Sequence, residues 1–215
     1  MDSTLIKQEV IDLLAAHAGV EPLVASITNR AMNGELDFSA SLRERVGLLK
    51  GLEASVFETL KEQITIMPGA QTLITVLKKK GVKTAVLSGG FTPLARWLAG
   101  KLGLDYVHAN FLDVDEEGRL TGRLKEGSQI VHAEFKRERL LSLAEELKIT
   151  REEVLAVGDG ANDLLMLAAA GVGIAVNAKE KVQREAPGRL NGAGALGDVL
   201  YLLGMTSDEI DELAG

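Results

Sequence analysis

Gly158-Asp159-Gly160-Ala161-Asn162-Asp163 sets two carboxylates four residues apart, directly after the apolar run Val154–Val157. Glycines on both sides of Asp159 allow a sharp turn that presents its carboxylate at a strand end. A hard cation such as Mg2+ suits such a pair, because it takes a few carboxylate oxygens and keeps waters for the rest. The competing reading is a capped strand-to-helix turn. A dinucleotide fingerprint is excluded, since Gly158-x-Gly160 runs on to Asp163 where that pattern needs glycine. Ser88-Gly89-Gly90 follows a second apolar run, Val82–Leu87. It offers a hydroxyl and successive backbone N–H groups, which is either a phosphate cradle or an ordinary turn. Met1-Asp2-Ser3-Thr4 adds a carboxylate and two hydroxyls at the amino end. Lys136 stands beside Arg137 and Arg139, which alone describes a solvated, charged helix face.

These residues need elements to position them. Leu5, Ile6, Val10, Ile11, Leu13 and Leu14 predict an amphipathic helix ending at Gly19. Pro22 fits the first turn of a second helix that stops at Gly34. Further helices are expected over Ser39–Leu52 and Glu53–Gln63, with no strand signal among them, so residues 20–66 read as a small helical cap. The pattern changes after Met67-Pro68-Gly69. A helix over Ala70–Lys80 leads to strand Val82–Leu87, a helix over Pro93–Leu102 and a short strand at Tyr106–Ala109. A hairpin follows from Phe111 to Leu124, then a helix over Ile130–Leu147, strand Val154–Val157, a helix over Asn162–Ala170 and strand Gly173–Val176. A final helix is expected around Leu196–Leu203, with another short one after Thr206. Strands alternating with helices imply an α/β fold with a parallel sheet, here residues 1–19 and 67–215. In such sheets ligands gather at the carboxyl ends of strands, where Asp2-Ser3-Thr4, Ser88-Gly89-Gly90 and Gly158-Asp159 would all sit.

Composition narrows the possibilities. The 215 residues are 46% hydrophobic but only 4% aromatic, so the core should be aliphatic. With 31 acidic against 24 basic residues the net charge is −7, which repels phosphate backbones and argues against nucleic acid as a partner. There is no Cys, which excludes disulfides, thiol catalysis and thiolate metal sites. The longest charge-free apolar run, Leu164–Val176, is shorter than the ~18 residues expected of a membrane span. No basic segment precedes an apolar stretch at the amino end. The expectation is a soluble, cytoplasmic protein acting on a small molecule.

Taken together, Met1-Asp2-Ser3-Thr4, Ser88-Gly89-Gly90, Lys136 and Gly158–Asp163 resemble the four motifs of haloacid-dehalogenase-superfamily phosphatases, most closely the phosphoserine phosphatase branch. The resemblance implies a Rossmann-like core under a helical cap. It also implies Mg2+-dependent hydrolysis of O-phosphoserine to serine and phosphate through a phospho-aspartate, the last step of serine biosynthesis. Asp2, Ser88 and Lys136 would be catalytic, with Asp2 as general acid and then general base. Asp2, Asp159 and Asp163 would serve the metal. Glu9 would hold the substrate ammonium and Arg45 its carboxylate, while Met32 and Phe38 would shield it and Ser88, Gly89 and Asn162 would bind it. The family motif reads Asp-x-Asp-Ser/Thr-Thr, and this sequence starts at its second position. The nucleophilic Asp and the apolar strand before it are therefore expected to precede Met1, leaving two unpaired edges beside the 82–87 and 154–157 strands and an inactive chain as written. A non-catalytic ligand-binding relative and a phosphotransferase to another alcohol are the alternative readings.

Overall fold

The computed structural model describes residues 1–215. Four helices come first: α1 (Val10–Ala18), α2 (Glu21–Met32), α3 (Phe38–Gly47) and α4 (Val56–Gln63). Asp37 starts α3 by accepting a hydrogen bond from the Ala40 N–H at 2.7 Å. Helix α1 starts later than the apolar pattern predicts. The Met1 carbonyl accepts from the N–H groups of Thr4, Leu5 and Ile6, and Ile6 pairs with Ile66 in an antiparallel bridge. Leu5 and Ile6 are thus apolar because they are packed against a distant segment, not because they lie on a helix. Residues 48–51 likewise form turns instead of extending α3 to Leu52.

The remaining chain alternates. Helix α5 (Ala70–Lys79) leads to β1 (Ala85–Phe91), α6 (Thr92–Leu102) and β2 (Tyr106–Asn110). The hairpin β3 (Leu112–Val114) and β4 (Leu120–Leu124) precedes α7 (Ala133–Glu146). Then come β5 (Leu155–Gly158), α8 (Leu164–Ala169), β6 (Val172–Val176), α9 (Glu180–Glu185), β7 (Gly188–Leu190), α10 (Ala195–Leu202) and α11 (Ser207–Ala214). Two features depart from the sequence pattern. Strand β1 does not stop before Ser88-Gly89-Gly90 but runs through it, and β7 is a three-residue strand too short to show any periodicity.

The parallel sheet lies in two pieces. One is β1 paired with β2, the other is β5-β6-β7 with β6 in the middle. Strand β1 bonds to β2 alone and β5 to β6 alone. In β6 the alternation of side chains serves both faces. Ile174 and Val176 pack with α5 and α10, while Ala175 faces the cluster built by α7 and α8. A third cluster joins Leu14 of α1, Leu42 and Val46 of α3, Phe57 and Leu60 of α4, Phe91 of β1 and Leu94 and Leu98 of α6, with Phe57 and Phe91 in edge-to-face contact. The hairpin is stitched to the turn after α3, where Gly51 N–H bonds the Leu120 carbonyl and Leu120 N–H bonds Leu52.

Candidate active site

Residues 1–4 lie against the carboxyl ends of both β1 and β5, with Met1 and Asp2 beside Gly90 and Thr4 beside Asp159. Ser3 adopts a left-handed φ of 53°, and the Thr4 hydroxyl donates to an Asp159 carboxylate oxygen. Asp2 is half-buried; its Oδ2 accepts from the Val10 N–H at 3.1 Å, at the start of α1, and its buried Oδ1 has no partner. One cavity of about 230 Å³ opens there. Its walls include Asp2, Glu9, Phe38, Arg45, Ser88, Gly89, Lys136, Asp159, Asn162 and Asp163.

The charges in this cavity are arranged asymmetrically. Lys136 and Asp163 form a buried ion pair at 2.7 Å, with 4% and 9% of their side chains exposed. The other Asp163 oxygen accepts from the Asp159 and Gly160 N–H groups, both at 3.1 Å. Burial opposes its ionisation, but the Lys136 ammonium outweighs that and holds the Asp163 carboxyl below its ordinary value. Asp159 and Asp2 go the other way. Burial raises both, and a neighbouring like charge adds to it, Asp159 for Asp2 and Asp163 for Asp159, against the Thr4 bond on Asp159 and the amino-terminal charge and Val10 N–H on Asp2. Burial also raises Glu9 and lowers Arg45.

The glycines flanking Asp159 serve close approach and not a special backbone angle. A Cβ on Gly158 would lie 2.5 Å from Asp163 Cγ, so the carboxylate can fold back over the strand end only above glycine. Gly89 is needed for a similar reason, since a Cβ there would lie 2.9 Å from Phe38 Cζ of α3.

No three acidic or histidine side chains converge as a ready-made metal cluster. What fits a cation is the half-buried Asp159 carboxylate, which burial and the neighbouring Asp163 charge make hard to ionise, beside Asp2, whose backbone carbonyl accepts no hydrogen bond. That donor set suits a hard ion that keeps most of its waters. Both oxygens of Asp163 are bonded within the protein, one to Lys136 and the other to the Asp159 and Gly160 N–H groups, so it stands behind Asp159 in support. It holds the loop that carries Asp159.

Lys136 corrects the surface reading of its helix. It is 3% exposed, whereas Arg137 faces Glu138 at the surface and Arg139 bonds His108 and Glu146. Met32 is not brought into the cavity: it ends α2, is 63% exposed, and its sulfur lies 3.7 Å from Lys179 Nζ. The buried face of α2 is instead Val24 and Ile27. The cavity also includes Met1, Ile11, Leu42, Gly90, Phe91 and Gly160. Ile11 and Leu42 had only the signal of an ordinary apolar helix face.

The haloacid dehalogenase-like hydrolase profile matches residues 1–171. A phosphoserine phosphatase of Saccharomyces cerevisiae is 51% identical over 98% of this chain and 67% of its own length. A probable phosphoserine phosphatase of Schizosaccharomyces pombe is 47% identical over 99% of this chain and 71% of its own. The chain spans only 50% of the Streptomyces coelicolor phosphoserine phosphatase that it matches at 47% identity. Among solved structures, a substrate-bound phosphoserine phosphatase superposes with a TM-score of 0.85 at 40% identity, covering 94% of each chain.

Proposed function

This chain belongs to the haloacid dehalogenase-like hydrolases, and we propose that its cavity serves the Mg2+-dependent hydrolysis of O-phosphoserine to serine and phosphate, the closing step of serine biosynthesis in the cytoplasm. The observation that carries this reading is a pair of opposite charges in the cavity that do not pair with each other. Arg45 donates only to its own helix, at Ser41, and Glu9 accepts only from Ser3. A small zwitterion satisfies both, its carboxylate on the Arg45 guanidinium and its ammonium on Glu9. Beside them Ser88, Gly89 and Asn162 line the space for a phosphate, and Lys136, fixed by Asp163, adds a positive charge.

Asp2 is the proposed general acid. Burial favours its protonated form, as a group must be that donates a proton to the departing seryl oxygen and later takes one from water. Mg2+ would be held by the Asp159 carboxylate and the Asp2 backbone carbonyl, leaving the Asp2 carboxyl free for proton transfer, and its charge would offset the repulsion between the phosphate dianion and these acidic groups. Residues 20–66 would act as a cap over the core of 1–19 and 67–215, with Phe38 and Arg45 reaching down from α3 to exclude water and orient the substrate. Remote binding of the zwitterion would then lower the barrier by fixing the phosphate in place.

In the family motif the nucleophile is the Asp just ahead of the position that Met1 holds, and no carboxylate of residues 1–215 takes that place. Residues 1–215 alone are therefore proposed to release negligible phosphate. The test compares them with a chain in which an apolar strand ending in Asp precedes Met1, at equal folded concentration and with O-phosphoserine as substrate. Turnover by the extended chain alone is expected. Equal turnover by both would put the nucleophile elsewhere, and turnover only with other phosphate esters would remove the substrate assignment.

A further inference from the structure

Strand β1 loses register with β2 where the phosphate cradle begins. Leu87 pairs with His108 and Phe91 with Asn110, so Ser88, Gly89 and Gly90 together bulge opposite Ala109. A bulged segment leaves some of its backbone groups outside the regular ladder, and these need another partner to keep one orientation. Asn110 supplies it. Its side chain is 1% exposed; its Nδ2 donates to the Gly89 carbonyl at 2.8 Å, and its Oδ1 accepts from the Val131 N–H at 2.9 Å. We propose that Asn110 is a positioning residue for phosphate, locking the Ser88-Gly89-Gly90 backbone to the segment that leads into the Lys136 helix. The proposal rests on reading Ser88–Gly90 as the phosphate cradle.

The chemistry requires an amide. Gly89 C=O and Gly90 N–H share one trans peptide plane and point in opposite directions. Holding the carbonyl from the β2 side therefore fixes the direction of the Gly90 N–H, which here bonds the Ser88 hydroxyl at 2.9 Å. Only a side chain with a donor and an acceptor about one amide apart can bind a carbonyl and an N–H at once. Aspartate would set a carboxylate oxygen against the Gly89 carbonyl, and leucine would leave both groups unsatisfied. Val131 begins the short stretch before α7, whose first turns carry Lys136, so the same amide ties together two groups that would meet the phosphate. The backbone of Asn110 is held separately, by the Thr92 hydroxyl, which donates to the Ala109 and Asn110 carbonyls at 3.1 and 3.0 Å.

The test is binding of inorganic phosphate to residues 1–215 in magnesium buffer, followed by calorimetry. Asn110→Asp should weaken phosphate binding by about tenfold, as expected for losing one aligned hydrogen bond and gaining a repulsive one. Thr92→Val loosens the same strand end without touching the Gly89 carbonyl, and should keep the wild-type affinity even where it lowers the melting temperature. Equal affinities for Asn110→Asp and wild type, or equal losses in both variants, would overturn the proposal. A second readout needs no variant: amide NMR of the wild type during the phosphate titration. The Gly90 N–H, the Asn110 side-chain NH2 and the Val131 N–H should shift together, and a shift of Gly90 with the other two unmoved overturns the proposal. Absence of phosphate binding by the wild type would remove the cradle reading and this inference together. Failure to hydrolyse O-phosphoserine, with phosphate still bound, would leave the inference standing.

Discussion

Replacing Lys136 by methionine removes the cation from a buried pair while leaving most of the side-chain volume in place. The Asp163 carboxylate then keeps only the Asp159 and Gly160 N–H groups, in a site that also holds Asp159 and Asp2. With 9% of its side chain exposed, it can recover little hydration. Breaking such a pair from one side costs about 3–5 kcal/mol. For a chain of this size that lowers the melting temperature by roughly 6–20 °C, at about 2–4 °C per kcal/mol. Asp163→Asn should cost a similar amount by stranding the Lys136 ammonium, although the asparagine oxygen can still accept from both N–H groups. The double variant Lys136→Met/Asp163→Asn has no charge left to strand, so it should be more stable than the sum of the singles predicts by at least about 2 kcal/mol. Urea unfolding followed by circular dichroism measures all four stabilities. Single losses below about 1 kcal/mol with an additive double variant would refute the buried-pair reasoning.

Three further outcomes are expected. In the chain extended by the nucleophilic strand, Arg45→Ala should reduce kcat/KM for O-phosphoserine roughly tenfold or more beyond its effect on a phosphate ester lacking a carboxylate; equal losses on both would make Arg45 structural. In the same chain Asp159→Asn should abolish phosphate release at ordinary magnesium and regain some at greatly raised magnesium, and unchanged activity would remove Asp159 from the metal site. Asp105 accepts from the Thr84 N–H and hydroxyl and from Lys83, which hold its carboxyl below the ordinary value. A depressed folded pKa contributes stability that is present above the unfolded value of ~3.9 and lost as pH falls through the folded one. Asp105→Ala should therefore be less stable than wild type at pH 7, by about 1 kcal/mol or less for so exposed a group, with the gap closing below about pH 4. A gap that persisted at pH 2 would assign the effect to packing.

Much of this protein was legible in its sequence because the relevant signals are local. Apolar runs of strand length ending in Ser88-Gly89-Gly90 and Gly158-Asp159-Gly160, separated by helical periodicity, specify parallel strands whose carboxyl ends carry the chemistry. The charges of Glu9 and Arg45, which both line the cavity, are visible as residues, but taken alone they read as surface charges and only the family resemblance singled them out. What the chain could not announce is burial. Lys136 sits in a run of charges that reads as solvent-facing, and only the packing of α7 against the Asp159 loop takes its ammonium out of water and onto Asp163. Met32 and Phe38 look equivalent as apolar residues near the cavity, yet α2 turns one outward while α3 directs the other onto Gly89. Leu5 and Ile6 carry a helical pattern but are drawn into a bridge with Ile66. Asn110 had no signal at all, because its role exists only where β1 loses register with β2. Side-chain identity and local spacing are written along the chain, whereas which charges lose their water and which carbonyls lose their ladder depends on segments that are distant in sequence and meet only in the folded state.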